Sequence, residues 1–518
     1  MKFLTAVVLM TTWCTVVTAQ SSVRIQKPDA QVFEEIKREG MNHSQVMKHA
    51  FYITDVSGSR LTNSPGYQRA AEWVVSQLKS WGINNARIEP WGEFGKSWQL
   101  DKMYLAMSAP YYRPLIAFPK SWTRSVKAVE KAEVLLIDPA IDSVSLLALA
   151  SKMKGKIIIM GRDEAYKQSF KPDAVRYTEE ELAKMGNAVA TPRRAPDTAQ
   201  QRQMRAMMAR MGSSANLANK VREMAEKNGA IAILSVNPRG HDGTIFVQGS
   251  TRGANHKDSV DAFPDIVVAT EDYMSICRLA KAGIPVKLDL DLKSTTSKKD
   301  VLSYNVIAEI PGHDPKLKDE IVMLGAHLDS WQGSTGATDN ASGSSTMIEA
   351  LRIIHQLGLK PARTIRLALW SGEEQGLLGS QAYVKKTFGD ENNPTSAHEK
   401  FSCYFNIDNG TGKIRGIYAQ GNTTAAEYFK EWLAPFHSLG ATTVSLGNTG
   451  STDHISFHNS GLPGFQFIQD PIEYNTRTHH TTMDSYDHLI EDDLKQISTI
   501  VAAFVYQAAS MEGKMPRK

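Results

Sequence analysis

The sequence predicts an α/β protein built on a mixed, mostly parallel sheet with helices on both faces. Short apolar runs alternate with amphipathic helical stretches along much of the chain, and acidic residues and histidines follow the ends of several runs. Strands that alternate with helices form parallel sheets, and functional groups in such sheets gather at the carboxyl ends of the strands. The length of 518 residues allows more than one domain.

The first 19 residues predict an export signal. Lys2 is followed by an apolar run from Phe3 to Val17 and by small residues that end at Ala19, the pattern that a signal peptidase cleaves. The run is shorter than the ~20 residues that span a bilayer, and no later stretch approaches that length. We therefore expect cleavage after Ala19 and a secreted or periplasmic protein without an integral membrane segment.

The overall composition is that of an ordinary globular protein. With 42% hydrophobic and 22% charged residues, the chain differs from disordered and collagen-like sequences, and three cysteines are too few for a disulfide scaffold. A net charge of +4 is too small to indicate a nucleic-acid partner. Once Cys14 leaves with the signal, Cys277 and Cys403 remain. We expect two buried thiols, with a single disulfide as the alternative.

The first predicted helix begins at Ser64-Pro65 and ends at Gly82. Ala71, Val74 and Leu78 recur at helical spacing between these two signals. From residue 320 onwards strands and helices alternate. The predicted strands are Glu320 to Ala326, Thr364 to Trp370 and Cys403 to Ile407, and the predicted helices are Thr346 to Leu357 and Ser380 to Phe388.

Residues 128–296 differ in pattern and are predicted to form an insert, which divides the main domain into segments 20–127 and 297–513. Within the insert, four methionines lie at helical spacing, and we interpret them as an amphipathic helix that packs on its own domain. The alternative is a lid or a partner-binding helix, for example at a dimer contact. The methionines are Met204, Met207, Met208 and Met211, and the insert's predicted strands are Val134 to Ile137, Lys156 to Met160, Ala230 to Val236, Ile266 to Ala269 and Val286 to Leu290.

Residues that can bind metals or transfer protons are concentrated between residues 325 and 488. Four segments each place a carboxylate or an imidazole just after a predicted strand or before a helix, and a fifth supplies histidines near the end of the chain. Because parallel strands end at one edge of a sheet, these groups should meet. The segments are Gly325 to Ser330, Ala337 to Gly343, Ser371 to Gly376, Phe405 to Gly410 and Thr478 to Asp484.

This set of side chains is typical of a metal centre. Several acids at one edge repel one another and lose hydration, a cost that divalent cations remove. Histidine mixed with Asp and Glu, without a thiolate, suits Zn²⁺ or a similar first-row ion better than Ca²⁺, which binds oxygen alone. One carboxylate can bridge two metals ~3.5–4 Å apart. The small residues after Asp339 allow the backbone to approach such a centre closely.

Each segment also has an ordinary structural interpretation. A single histidine such as His327 is often a core residue, and Asp329 or Asp339 alone is typical of a turn or a helix cap. The pair Glu373-Glu374 would suit the positive end of a helix. The coincidence of five such segments at successive strand ends favours the metal site.

Together the five segments resemble the zinc-dependent exopeptidase family that includes bacterial secreted aminopeptidases, glutamate carboxypeptidase II and plasma glutamate carboxypeptidase. The order His-x-Asp, Asp-Asn-x-x-Gly, Glu-Glu-x-Gly-x-x-Gly-Ser, Asp and His-Thr-x-x-Asp is matched at every step over roughly residues 300–510. Glutaminyl cyclase and the transferrin receptor are relatives of this family. The insert resembles a protease-associated domain, by its strands and position alone.

The resemblance implies two zinc ions per chain. Asp339 would bridge them, His327 and Asp408 would complete one site, and Glu374 and His480 the other. His479 is the alternative to His480. Neighbouring residues in extended chain point in opposite directions, so one glutamate can bind metal while the other faces the open site, although this does not decide which.

The resemblance also assigns supporting roles. Glu373 would be the general base and acid, and Asp329 would orient the imidazole of His327 through its free ring nitrogen. Asp453 and His454 would hydrogen-bond near the second zinc, with a purely structural turn as an equal alternative. Tyr474 would contact the reacting substrate.

The function implied is that of a secreted dinuclear zinc exopeptidase that acts on a peptide substrate. Aminopeptidase activity is the first expectation. A carboxypeptidase or dipeptidase is the alternative within the same chemistry. A receptor-like binding protein on the same fold is a remote alternative. A receptor of this kind is expected to have lost metal ligands, whereas all five ligand positions and Glu373 are present here.

Overall fold

The computed structural model describes residues 26–162, 168–189 and 216–518, which form two eight-stranded sheets with helices packed around them. The predicted export signal with Ala19, and the methionines from Met204 to Met211, lie outside the described residues.

The first sheet is mixed, with parallel strands at its centre. The pairs β12–β11, β11–β13, β13–β16 and β14–β15 are parallel, and the remaining three pairs are antiparallel. This confirms the predicted fold class. In spatial order the strands are β1 (Arg87–Glu93), β10 (Leu302–Ile310), β12 (Thr364–Trp370), β11 (Ile321–His327), β13 (Phe401–Asn406), β16 (Gly464–Gln469), β14 (Ile414–Tyr418) and β15 (Thr443–Ser445).

Helices cover both faces of this sheet because successive strand residues point to opposite sides. Along β11, Val322 and Leu324 contribute to one core and Met323 to the other. The second face carries α9 (Leu378–Thr387) and α11 (His454–His458). The first face carries α1 (Ala30–Asn42), α2 (Val46–Phe51), α3 (Pro65–Ser80), α8 (Ser342–Gln356), α10 (Thr423–Leu433) and α12 (Glu491–Ser510).

Helix α3 forms where the sequence predicts it. The side chain of Ser64 accepts a hydrogen bond from the backbone N–H of Tyr67 at 3.3 Å, and Pro65 occupies the first turn. Ala71, Val74 and Leu78 are fully buried against the core. The capping residue and the apolar stripe therefore act together to fix this helix.

The second sheet contains the strands predicted for the insert and extends beyond it. The second sheet begins at residue 97 and not at 128, because β2 (Ser97–Ala109) pairs with β9 (Lys287–Ser297) along most of the length of β2. Its helices are α4 (Ser143–Ala148), α6 (216–227 in the described part) and α7 (Thr270–Lys281), whereas α5 (Glu179–Gly186) packs against β15 of the first sheet. In spatial order its strands are β3 (Arg113–Pro114), β2 (Ser97–Ala109), β9 (Lys287–Ser297), β5 (Glu130–Ile137), β6 (Ile157–Met160), β7 (Ala232–Ser235), β8 (Asp265–Val268) and β4 (Ala117–Pro119).

Cys277 and Cys403 are both buried and free, which confirms the expectation of two thiols. Burial raises the pKa of the Cys403 thiol to about 12. Across the described ranges, no helix is both long enough and apolar enough to cross a bilayer.

Candidate metal centre

The candidate site lies at the edge of the first sheet where four parallel strands end. β11 ends at His327, and the segments that follow β12, β13 and β16 reach the same edge. One further residue, Asp339, comes from an irregular turn, Ala337–Ala341, that precedes α8, and its own backbone angles are not helical. The side chains brought together here are His327, Asp339, Glu373, Glu374, Asp408 and His480.

A first group of ligand atoms contains one imidazole and two carboxylates. The Nε2 atom of His327 lies 3.2 Å from Oδ1 of Asp339 and 3.2 Å from Oδ1 of Asp408, and all three side chains are largely buried. A tetrahedral Zn²⁺ with bonds of about 2.0 Å separates neighbouring ligand atoms by about 3.3 Å. The two distances from Nε2 match this spacing, and the three candidate ligand atoms all lie within 4.8 Å of one another.

A second group shares Asp339 with the first. The Nε2 atom of His480 lies 3.1 Å from Oδ2 of Asp339 and 2.9 Å from Oε2 of Glu374. Nε2 of His479 is 3.7 Å from the same Oδ2 atom. Each oxygen of Asp339 thus faces a different group of candidate ligand atoms.

Two buried oxygens at the centre, Oδ2 of Asp339 and Oε1 of Glu374, accept no hydrogen bond of good geometry from the residues described, although Nε2 of His480 is 3.1 Å from the first. Buried acceptors without partners are costly, and a cation would satisfy both. The candidate ligand atoms are imidazole nitrogens and carboxylate oxygens only, a set that Zn²⁺ binds. The residues present therefore fit zinc.

Burial and the crowding of acids shift several pKa values at the centre. Burial lowers the pKa of His480, but the carboxylates of Glu374 and Asp339 outweigh it and raise the pKa to about 10. Burial and the charge of Asp339 raise the pKa of Glu374 to about 7. The pKa of Glu373 lies well above its ordinary value, because burial and the charge of Asp408 both disfavour its ionised form. The site therefore favours added positive charge.

Asp484 holds the turn that carries Asp339. Its Oδ1 atom accepts the backbone N–H of Thr338 at 2.6 Å and its Oδ2 atom accepts that of Asp339 at 3.1 Å. Burial, with the charge of Asp339, raises the pKa of Asp484 to about 7. The sequence motif ends at Asp484, but sequence reasoning assigned the residue no role.

Asn340 joins the same turn to the segment that carries Asp408. Its Nδ2 atom donates to the backbone oxygen of Ile407 at 2.8 Å, and its Oδ1 atom accepts the N–H of Gly343 at 3.0 Å. A Cβ atom on Gly343 would lie 2.3 Å from Oδ1 of Asn340 and 2.6 Å from the oxygen of Ile407. Glycine is therefore required at this position of the Asp-Asn-x-x-Gly motif.

Asp329 supports the site in two ways. Nδ1 of His327 lies 2.9 Å from the backbone oxygen of Asp329, so the ring donates through Nδ1 and keeps the Nε2 lone pair for a metal. The Asp329 carboxylate, 3.6 Å from Nδ1, accepts the backbone N–H groups of Glu373 and Glu374 at 3.4 Å each and the hydroxyl of Thr62 at 2.8 Å. The hydrogen bond that orients the imidazole thus goes to the backbone of Asp329, while its carboxylate holds the glutamate segment.

Glu373 and Glu374 lie in a tight turn, and the expectation of extended chain is wrong. The backbone N–H groups of Gly376 and Leu377 donate to the oxygen of Glu373 at 2.8 and 2.9 Å. Both glutamate side chains line the same pocket. Oε2 of Glu374 is 2.9 Å from His480, whereas Oε2 of Glu373 is 3.9 Å from the nearest imidazole nitrogen, that of His327. The two glutamates therefore differ in their distance from the imidazoles and not by pointing in opposite directions, and Glu374 is the nearer of the two.

Sequence reasoning missed Arg60, which is fully buried beneath the site. Its guanidinium donates to the backbone oxygens of Leu328 at 2.6 Å, Gly336 at 2.9 Å and Ile53 at 3.2 Å, and also to that of Thr335. It thereby ties the segment before α3 to both ends of the loop that leads to Asp339. No local pattern around Arg60 indicates this role, because its main partners lie more than 260 residues away.

Two residues between β7 and β8 contact the adjacent histidines. The amide nitrogen Nε2 of Gln248 lies 3.0 Å from Nδ1 of His480. Rotation of the amide by 180° would present its oxygen to Nδ1–H instead and leave Nε2 of His480 free for a metal, an exchange that a guanidinium cannot make. Nη2 of Arg239 donates to Nδ1 of His479 at 3.2 Å. Because a guanidinium can only donate, this bond puts the proton of His479 on Nε2. The two partners favour His480 over His479 as the ligand.

The same connection also pairs with the histidine segment through the backbone. The N–H of Val247 donates to the oxygen of His480 at 3.0 Å, and the N–H of Thr482 donates to the oxygen of Ile245 at 3.0 Å. The ring of Phe246 lies 5.7 Å from that of His480, centroid to centroid. His480 itself has a φ of 61°, a left-handed conformation that is uncommon for a residue other than glycine. The second sheet therefore helps to fix the ligand-bearing segment.

A cavity of about 480 Å³ opens onto the two ligand groups. Tyr474 lines it, and its buried ring lies 4.7 Å from that of His479, so the structure brings this residue to the site. The lining also includes Thr452, but Asp453 and His454 are buried and do not line the cavity.

Asp453 and His454 have different surroundings. Burial raises the pKa of Asp453 to about 7 and lowers the pKa of His454 to about 4. Nε2 of His454 lies 2.5 Å from Nε2 of Gln420 and 3.3 Å from the oxygen of Thr449. In the described part of the chain, no hydrogen bond or ion pair joins either residue to the ligand groups.

Residues 305–505 match peptidase family M28. Carboxypeptidase Q of Bos taurus is 25% identical over 515 residues, which cover 95% of this chain and 94% of the relative. Aminopeptidase YwaD of Bacillus subtilis (strain 168) is 32% identical over 231 residues, 43% of this chain and 48% of the relative. The chain spans about half the length of the other carboxypeptidase Q relatives it matches.

Solved structures of M28 peptidases have the same fold. A peptidase M28 precursor from Shewanella amazonensis SB2B aligns with a TM-score of 0.65 at 23% identity, over 94% of this chain and 98% of that chain. BSAP, a zinc aminopeptidase from Bacillus subtilis, aligns with a TM-score of 0.55 at 19% identity, over 91% of this chain and 96% of that chain.

Proposed function

We propose that this chain, which belongs to the zinc-dependent metallopeptidases of family M28, uses two zinc ions to hydrolyse peptide bonds next to a free terminus. The observation that carries the proposal is the pair of ligand groups that share Asp339. His327 and Asp408 would hold one ion, and Glu374 and His480 the other. Zinc held there would supply Lewis-acid chemistry, which polarises a scissile carbonyl and lowers the pKa of water toward ~7.

Glu373 is proposed as the general base and acid. It lines the cavity, lies apart from the imidazoles, and has a pKa raised well above the ordinary value by burial and neighbouring acids. A carboxylate with a raised pKa takes a proton from the attacking water more readily and returns it at neutral pH. The proton moves to a Glu373 carboxylate oxygen and then to the nitrogen of the departing amine, as the C–O bond forms and the C–N bond breaks.

A Glu373→Gln variant tests this role. It should bind zinc as the wild type does and lose roughly 10²- to 10⁴-fold in kcat, because the amide cannot accept the proton. Glu427→Gln, an exposed change on α10, is the matched control. Near-normal hydrolysis by the Glu373→Gln variant, with its zinc retained, would contradict the mechanism. Metal analysis of the purified wild type should find two zinc ions per chain.

Aminopeptidase activity is the first proposal for specificity. The support is the similarity to aminopeptidase YwaD of Bacillus subtilis, which is 32% identical over 231 residues. The alternative is carboxypeptidase activity, which the alignment with carboxypeptidase Q over nearly the whole chain supports. A panel of short peptides with free and acetylated amino termini separates the two. Acetylation should abolish cleavage by an aminopeptidase, whereas a carboxypeptidase would still release the last residue.

Export is proposed from the amino-terminal pattern alone. Cleavage after Ala19 would give a mature chain that begins at Gln20. Amino-terminal sequencing of the protein from the external or periplasmic fraction tests this. A chain that starts at Met1 and stays in the cell would contradict it.

The second sheet is proposed to be an insert of the protease-associated type that helps to build the site. The support is its contact with the histidine segment, through the backbone of Ile245 and Val247 and the side chain of Gln248. The role proposed for this unit is to fix the position of His480.

A further inference from the structure

We propose that Asp173 is a positioning residue, which holds Tyr474 at the substrate cavity through an ion pair with Arg477. The inference rests on the proposed peptidase function and deepens it, since Tyr474 is the residue expected to contact the reacting substrate. Asp173 lies in the part of the sequence that is predicted as the insert, whereas Tyr474 and Arg477 lie in the main domain. The predicted insert would therefore support the site at a second place besides His480.

Tyr474 begins a turn, Tyr474–Thr478, that leads to the histidine segment. It lines the cavity, and its ring lies 4.7 Å from the ring of His479. On another side it packs against Gly410, where an added Cβ atom would lie 3.0 Å from Cβ of Tyr474. Burial raises the pKa of Tyr474, so its hydroxyl stays protonated and can donate a hydrogen bond. The backbone of the turn therefore determines where this donor stands at the cavity.

The bridging segment, residues 173–177, belongs to the predicted insert and contacts the turn directly. The carboxylate of Asp173 lies 2.7 Å from Nη2 of Arg477, and the backbone oxygen of Asp173 accepts the hydroxyl of Thr476 at 2.8 Å. Both partners follow Tyr474 within three residues. Asp173 therefore holds the turn at two points, one through its side chain and one through its backbone.

The bridging segment also holds the chain before Tyr474. The N–H of Val175 donates to the oxygen of Ile472 at 2.9 Å, and Ile472 has a φ of 45°, which is strained for a β-branched residue. Arg176 lies 2.9 Å from a carboxylate oxygen of the fully buried Asp470. The contacts on both sides of Tyr474 thus come from one segment, and they hold a backbone that departs from its own preference.

Arg477 lies closer to Asp173 than to the neighbouring acid Glu473. Nε of Arg477 is 3.8 Å from Oε2 of Glu473, against 2.7 Å between Nη2 and Asp173. Glu473 is itself hydrogen-bonded to Nδ1 of His488. The side chains of Asp173 and Arg477 are 25% and 33% exposed, so solvent screens their ion pair less than it screens a pair on the open surface. Asp173 is therefore the acid that fixes the Arg477 side chain.

The test is a double-mutant cycle between Asp173 and Tyr474 in the zinc-loaded enzyme, with the short peptide that the wild type cleaves fastest. Asp173→Ala should lower kcat about tenfold and change KM little. A displacement of about 1 Å can cost about 10²-fold in rate, but the two backbone contacts of the bridging segment survive this substitution and limit the loss. In a Tyr474→Phe background, which lacks the hydroxyl, Asp173→Ala should lower kcat less than about twofold further.

Two other variants at this position separate charge from size. Asp173→Glu keeps the charge and should recover part of the lost kcat, and Asp173→Asn keeps an acceptor and should lose less than Asp173→Ala. Glu93→Ala is the matched control, because it breaks a 2.9 Å ion pair with Lys257 that also joins the main domain to the predicted insert. It should leave kcat and KM at wild-type level. Zinc content and the unfolding midpoint are measured for every variant.

Wild-type kcat in the Asp173→Ala variant would overturn the proposal. An equal fold loss with and without the Tyr474→Phe change would also overturn it, because Asp173 would then act independently of Tyr474. If Asp173→Ala loses zinc or unfolds, the same cycle with Asp173→Asn decides between these outcomes. A Tyr474→Phe variant with wild-type kcat would overturn the proposal and leave the peptidase function intact. A wild type that cleaves none of the peptides would contradict the proposed function itself.

Discussion

The hydrogen bond between Gln248 and His480 gives a prediction that separates the two proposed zinc sites. Gln248→Ala removes the amide that lies 3.0 Å from Nδ1 of His480. His480 is a ligand of one proposed ion only, so the affinity for that ion should fall while the ion held by His327 and Asp408 is unaffected. Partners of this kind, which orient a ligating imidazole, are worth about 10- to 100-fold in metal affinity.

The structure indicates the lower end of that range. The bond from the N–H of Val247 to the oxygen of His480 survives the substitution and still holds the loop. The His480 side chain is 15% exposed, so water can replace part of the lost hydrogen bond. We expect about a tenfold loss, which corresponds to about 1.4 kcal/mol of binding free energy.

The assay is a zinc titration of the metal-free protein in competition with a chromophoric chelator, which resolves tight and weak sites. Gln248→Glu should bind the second ion at least as tightly as the wild type, because a carboxylate accepts the Nδ1–H bond more strongly than an amide. Gln99→Ala, an exposed change on β2, is the control. Wild-type affinity at both sites in Gln248→Ala, or weaker binding by Gln248→Glu than by Gln248→Ala, would refute the reasoning.

Three further predictions concern Asp484, His454 and the two thiols. Asp484→Asn leaves one of the backbone N–H groups of Thr338 and Asp339 without an acceptor. Because both proposed zinc ions share Asp339, the affinity for both should fall at least tenfold in the same titration. Loss of affinity at one site alone would contradict this. Burial lowers the pKa of His454 to about 4 in the folded protein, against an ordinary value of 6.5. Below pH 6.5 the unfolded chain binds a proton that the folded protein does not bind. The contribution of His454 to stability, about 3 kcal/mol, is therefore complete above pH 6.5 and is lost as the pH falls toward 4. Denaturant unfolding of the metal-free protein at pH 7.5 and 4.5 should therefore show a smaller difference for His454→Gln than for the wild type, and an equal difference would count against the buried neutral imidazole. In the native protein, Cys277 and Cys403 should react with a thiol reagent only after unfolding, and fast labelling of either would show that it is not buried as described.

Local sequence patterns predict the centre of the first sheet well because its central strands are buried on both sides. β12 spans Thr364–Trp370, the predicted range, and β11 and β13 differ from their predictions by one or two residues at each end. A strand covered on both faces is a continuous apolar run bounded by polar residues, so its limits are visible in the sequence. His327 is the last residue of β11, and Glu374 and Asp408 come within four residues of the ends of β12 and β13, so these strand ends locate the predicted ligands.

Pairing between distant strands and hydrogen bonds over long sequence separations are not visible in this way. The sequence divides the domains at residue 128, but β2, which starts at Ser97, belongs to the second sheet through its pairing with β9. Nothing near β2 indicates a partner almost 200 residues later. Arg60 and Gln248 escape sequence reasoning for the same reason, since each acts through a partner that is more than 200 residues away.

The choice between His479 and His480 shows how such distant contacts determine chemistry. Sequence alone offers two adjacent imidazoles, and their distances to Asp339 differ by only 0.6 Å, at 3.7 and 3.1 Å. The partners of Nδ1 differ more decisively, because Arg239 can only donate to His479, while Gln248 can donate to or accept from His480. A metal ligand needs a lone pair on Nε2, and therefore a proton on Nδ1, which only Gln248 can accommodate. The connection between β7 and β8, which supplies both partners, thus favours His480 over His479 for metal binding.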